Sequence, residues 1–174
     1  MKKILRPFSL AVLSLAFSVS NSISSAAVDA SSSSGNTTSN SSQLCDSARQ
    51  SLKTVQKSDS YARSYLGHSY GLILTNYIVP MNLRLTVLNR PDAALSSLQS
   101  DFVSARTKFN NDYVAYSRSL EELLLVNCDS DLEKFIHSLK KVRENRSVVE
   151  NDTILLDSLA KNYLKSAKSL EASL

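Results

Sequence analysis

The chain has 174 residues, with 20 Lys and Arg against 16 Asp and Glu, 3 Gly, 33 Ser and no Trp. Three glycines are too few for the tight turns of a many-stranded sandwich or barrel, or for a phosphate-cradling loop. No apolar run is long enough to span a membrane as a stable helix, and the length fits one modest domain.

The first residues read as an export signal. Lys2, Lys3 and Arg6 precede an apolar run from Phe8 to Val19, which has the length of a signal-peptide core rather than of a spanning helix. Ser24 and Ala26 fit the −3 and −1 positions of a cleavage site; Ala27 and Ala30 are alternative ends. Residues 1–26 are therefore expected to be a signal peptide, and the alternative is a retained N-terminal anchor. The three cations carry three of the four excess positive charges, so the basicity reads as an export signal more than as a hint of an anionic partner. Residues 27–43 are rich in Ser, Asn and Thr and bury nothing apolar, which predicts a disordered spacer. Sequons at Asn36, Asn40, Asn145 and Asn151 matter only in a eukaryotic secretory pathway, and the short Met-Lys-Lys start reads as bacterial.

Residues 44–174 have helical spacing almost throughout. A first helix is expected over 44–89, with one face suggested by Leu44, Ala48, Leu52, Val55, Ala62, Leu66, Ile73, Leu83 and Val87. Gly67, Gly71 and Pro80 interrupt it. Pro80 lacks an amide donor and clashes with the preceding turn, so it kinks the helix or breaks it in two. A kink is preferred, because the apolar spacing resumes at Leu83.

A second helix is expected over 91–127, with Pro91 in its first turn and a seam from Leu95 through Phe102, Phe109 and Tyr116 to Val126. A third is expected over 131–173, capped by Asp129 or Ser130. Its seam runs from Leu132 through Val142, Arg146, Leu156 and Tyr163 to Leu174. Short connections force neighbours to be antiparallel. The fold expected is all-α: an elongated, coiled-coil-like bundle of three helices, or four if Pro80 breaks the first, with rods of roughly 55–70 Å. Its seam predicts a left-handed supercoil.

This topology places Cys45, at the start of the first helix, beside Cys128, at the end of the second. A disulfide between them is the expectation; two free thiols or an intermolecular bridge are the alternatives. Within the seams, Arg146 and Asp112 sit at nearly equal heights above that end. They are expected to form a buried or half-buried ion pair that sets register.

Catalytic and metal-binding patterns are missing from the sequence. His68 and His137 are isolated, and Glu121 and Glu122 are adjacent on a helix and so point about 100° apart. No enzymatic activity, cofactor or metal is expected. The basic run Lys140, Lys141, Arg143 and Arg146 is interleaved with Glu133, Glu144 and Glu150 and lacks an aromatic platform, which argues against nucleic acid. Tyr61, Tyr65, Tyr70 and Tyr77 recur along the first helix. Packing against the other helices is the favoured reading, and an aromatic groove for a partner the alternative.

Asp59-Ser60 with Arg63, Gly67, Tyr70, Pro80-Met81-Asn82 with Arg84, Phe109, Asp112-Tyr113, Tyr116, Cys128 and Phe135 together resemble exported helical proteins of Saccharibacteria and related ultrasmall bacteria. The resemblance covers about residues 44–170. It implies export and an all-helical domain and no known activity, and Cys45 matches a cysteine of that pattern. The interrupted region with Gly67, Tyr70, Gly71, Tyr77 and Pro80 is where the pattern is most particular, and is the candidate interaction region. The function expected is that of an exported, non-catalytic helical protein with a protein partner, acting in surface interaction or as a spacer. The alternative is an extracytoplasmic holdase chaperone.

Overall fold

The structure, a computed structural model, describes residues 37–172, with side chains from residue 42 onward. The expected signal peptide and the first part of the expected spacer lie outside the described residues. Among the described residues there are helices and connections and no strand.

Helix α1 spans Thr37–Ile73 and passes into a π turn, Leu74–Ile78, which passes into α2, Val79–Val87. The flanking residues Ile73 and Val79 both keep right-handed helical dihedrals, so the three pieces form one uninterrupted rod. The start at Thr37 falls inside the stretch expected to be a disordered spacer. Neither Gly nor Pro interrupts residues 37–66, and a helix already nucleated at the buried Cys45 extends backwards at little cost. Hydroxyls help locally: Ser47 Oγ donates to the Gln43 carbonyl and Ser51 Oγ to that of Ser47, each at 2.9 Å.

Pro80 does not break the rod. It sits in the first turn of α2, directly after the π turn. There the Val79 amide bonds the Leu74 carbonyl, five residues back rather than four. This wider turn holds one residue more than an α-helix would, and everything downstream is displaced by that residue. Upstream, Cys45, Leu52, Asp59 and Leu66 face inward at steps of seven. Tyr70 also faces inward, and its counterparts beyond the turn are Ile78 and Leu85, not Tyr77 and Arg84. The expectation that Leu83 and Val87 continue the inner face is thus corrected: they are 62% and 72% exposed. Leu44 is exposed as well.

The rod ends where Asn89 takes a positive φ of 54°. With it, the Arg90 amide reaches back to the Leu85 carbonyl at 2.9 Å and the Asn89 amide to that of Thr86 at 3.0 Å. Asn is one of the few residues with a side chain that tolerates this left-handed closing position. Helix α3 spans Ala93–Leu125. Asp92 caps it, accepting the Leu95 amide at 2.8 Å, so Pro91 precedes the helix rather than opening it. Helix α4 spans Leu132–Ala172. Its cap is Asp131, which accepts the Lys134 amide at 3.2 Å. Asp129 and Ser130 instead donate their amides to the Asn127 side chain in the preceding turn.

Backbones approach most closely between α3 and α4. The α1–α2 rod packs against that pair through long side chains, among them Tyr70, Tyr116 and Arg146. The seam residues Leu95, Phe102, Phe109, Tyr116, Leu123, Phe135, Val142, Leu156 and Tyr163 are all buried, as their spacing requires. They form two apolar clusters. One holds Cys45, Leu120, Leu123, Cys128, Phe135 and Val142; the other holds Tyr70, Ile78, Leu85, Leu95, Phe102, Phe109, Leu156 and Tyr163. Tyr70 stands edge-on to both Phe102 and Phe109, with centroids at 6.2 and 5.9 Å. Each such side chain contributes about 1.5–3 kcal/mol by leaving water.

Candidate functional site

The structure joins Cys45 to Cys128 in a disulfide, with Cα atoms 5.9 Å apart. The bridge ties the start of α1 to the turn between α3 and α4. Beside it, Arg49 donates to the Val126 carbonyl at 2.6 Å.

Polar groups lie between the two apolar clusters. The expected pair of Asp112 with Arg146 does not form. Arg146 turns toward α1 and binds Asp59 through Nε at 2.8 Å and Nη2 at 3.2 Å. The Tyr116 hydroxyl donates to the same carboxylate at 2.6 Å, and burial followed by this hydrogen bond pushes the Tyr116 hydroxyl well above its ordinary value. Nor do the two stand level: Arg146 lies at the height of Tyr116 and Ser119, about one turn from Asp112, and it faces α1 whereas Asp112 faces α4. Asp59 was legible as a partner, because it keeps the seven-residue step of Cys45, Leu52 and Leu66; its polarity hid it.

Asp112 faces the α3–α4 groove. There Lys108 binds Asp112 at 2.6 Å and Asp152 of α4 at 2.7 Å. Asp152 is buried, and its Oδ2 has no hydrogen-bond donor. Burial pushes the Asp152 carboxyl above the usual range, and the neighbouring Asp112 pushes the same way against Lys108. Asp112, held chiefly by Lys108, is lowered.

Tyrosines stitch the far half. Tyr70 donates to Asp157 at 3.1 Å, and Tyr163 reaches both the Ile78 carbonyl and Asn82 Oδ1 at 3.1 Å. Burial pushes Tyr70 upward and brings Tyr163 to about 12. These tyrosines are bound internally and serve the fold.

The candidate interaction region divides accordingly. Tyr70 is 2% exposed and belongs to the core. Gly71 faces α3, where a Cβ would stand 3.5 Å from Arg106 Nη2, and Gly67 has open space. Tyr77 and Pro80 are exposed.

The larger feature is the outward face of the same rod. Tyr61, Tyr65, Leu72, Leu83 and Val87 are 68%, 61%, 42%, 62% and 72% exposed. With His68, Asn76 and Pro80 they follow steps of three and four residues, which place them along one line opposite the core. Across the π turn the line has two steps of four, and the wider turn keeps them aligned. Periodicity alone missed this face because the inserted residue made Leu83 and Val87 look internal. Tyr61 and Tyr65, off the inner positions, were the available signal.

Elsewhere the surface gathers little. Grooves of about 320 and 350 Å³ lie beside Tyr113 and beside Lys161. His68 and His137 are both exposed. Among the described residues no three His, Cys, Asp or Glu are grouped as for a metal ion, and no helix is long and apolar enough to cross a membrane.

Compared with protein-family models, curated proteins and solved structures, the chain matches none.

Proposed function

We propose that this is an exported, non-catalytic helical protein that acts by binding another protein through the outward face of the α1–α2 rod. The observation that carries the reading is the line of Tyr61, Tyr65, Leu72, Leu83 and Val87, exposed on a helix whose opposite face already serves the core. A surface helix needs one apolar face to fold; a second has no use within the bundle. The signal-like first 26 residues and the disulfide support export, since such bridges persist in oxidising compartments. The likeness to exported helical proteins of Saccharibacteria points the same way and carries no activity.

The test is site-specific photocrosslinking of the full chain in an exporting bacterium. A crosslinker at Leu83 should capture a defined protein that one at the exposed Lys165 on α4 does not. Equal capture at both positions would remove the interaction face. A holdase chaperone also needs exposed apolar surface, and the same line favours it as the second reading. Light scattering separates the two: a holdase suppresses aggregation of an unfolded client, whereas a dedicated binding protein leaves it unchanged.

A further inference from the structure

From residue 60 to residue 91 the sequence contains no Asp and no Glu, yet it contains Arg63, His68, Arg84 and Arg90. This is the stretch that forms most of the outward line. Lys57 and Arg84 are exposed along its margins, and Arg90 is exposed just beyond its end. The nearest carboxylate upstream, Asp59, points inward and is held by Arg146 and Tyr116. Of the acids on α4 that border the rod, Glu150 contacts Arg146 at 3.5 Å and Asp157 accepts from Tyr70. The face is therefore an apolar line with cationic margins and no acid of its own.

Its spacing suits a helix. The steps from Tyr61 to Val87 are four, three, four, four, four, three and four, the rhythm that lets one helix lie along another. At 1.5 Å per residue the line is about 40 Å long. A second copy of this chain fits poorly, because two such faces would set cation against cation with no carboxylate between them.

Building on the interaction reading above, we propose that the occupant is an amphipathic helix of another protein, with acidic residues along both flanks of its apolar stripe. Leu, Val and Tyr of the rod take its apolar side chains. Lys57, Arg84 and Arg90 take its carboxylates. The partner chemistry follows from helix-on-helix packing with complementary margins.

The probes are two synthetic 28-residue helical peptides with Leu along one stripe, one flanked by Glu and one by Lys, titrated against the full exported protein by fluorescence anisotropy. The Glu-flanked peptide should bind about tenfold tighter or more, and the difference should shrink as salt rises from about 50 to about 500 mM. Leu83→Glu should weaken it by about tenfold or more with an unchanged circular dichroism spectrum, because that side chain is exposed and repels the Glu flanks. Arg84→Ala with Arg90→Ala should reduce the preference while leaving binding of the Lys-flanked peptide unweakened.

Equal binding of the two peptides overturns the acidic partner and leaves the interaction face standing. Failure of both peptides, with dimerisation that Leu83→Glu abolishes, overturns the proposal in favour of a second copy. Failure of both, with binding to vesicles of anionic lipid, overturns it in favour of a membrane surface. Failure of all these probes overturns it outright, and photocrosslinking at Leu83 then decides whether the face binds protein at all.

Discussion

Arg146 holds Asp59 with two nitrogens, Nε at 2.8 Å and Nη2 at 3.2 Å, and so fastens the middle of α4 to the middle of α1. Asp59 has 14% of its side chain exposed and Arg146 35%, which places the pair between a surface ion pair and a buried one. A double-mutant cycle on Asp59→Ala and Arg146→Ala should return a coupling of about 1–2 kcal/mol, above the surface median and below a fully buried pair. The cycle on Asp112→Ala and Arg146→Ala should return none. Coupling in the second cycle and not the first would reverse the assignment.

The disulfide closes a loop with a sequence separation of 83. Its removal by Cys45→Ser with Cys128→Ser should lower unfolding free energy by about 2–4 kcal/mol, read from urea denaturation at neutral pH. Non-reducing peptide mapping of the exported protein should recover the two cysteines as one linked peptide. Two alkylated free thiols would contradict the bridge.

The π turn is a one-residue insertion in an otherwise regular rod. Deleting Asn76 together with Pro80→Ala should give a plain α-helix in which Ile78 and Leu85 still face inward, and thermal melting should shift by only a few degrees. Inserting one Ala after Asn76 should instead turn those side chains about 100° out of the core. That loss of two buried aliphatics should cost about 2–5 kcal/mol. If deletion is as damaging as insertion, the turn does more than absorb a residue.

Asp152 gives the protein a pH signature. Its folded-state carboxyl is raised by burial, and the charged groups acting on it are Lys108 and Asp112, both on α3. A raised acid contributes stability that is complete below its unfolded value, near pH 4, and that is lost as pH climbs through the higher folded value. Asp152→Asn removes that titration and keeps an acceptor for Lys108. The variant's melting temperature should therefore rise relative to wild type as pH increases from about 4 to 7. Parallel curves over that window would show that Asp152 titrates as an ordinary carboxyl. Asp112, lowered chiefly by its bond from Lys108, acts oppositely, giving stability above its unfolded value that is lost as pH falls. Asp112→Asn should flatten the acid side of the profile.

Much of the fold is legible from spacing. The seams of α3 and α4 could be followed over most of their length, because no Gly or Pro interrupts their steps of three and four. The exceptions are Leu132, expected to open the α4 seam but 60% exposed, and Asp152, which is buried one place before the expected Thr153. The cysteines could be paired because short turns leave few ways to arrange three rods. The α1–α2 rod resisted for a local reason. A π turn leaves no clear mark in composition, and one extra residue exchanges the inner face for another. That exchange hid the outward line of Tyr65, Leu72 and Leu83.

Length, glycine poverty and heptad spacing by themselves determine an all-helical bundle, since a repeating apolar stripe can be buried in few other ways. They also place Cys45 and Cys128 at one end. Tertiary structure alone decided which polar groups meet. Position along one rod follows from counting residues, but which residues of two rods stand level, and which way they face, depends on the turn that joins them and on how three rods pack around one another. Asp59 rather than Asp112 therefore holds Arg146, and one face of α1 and α2 is left bare of partners and of acid.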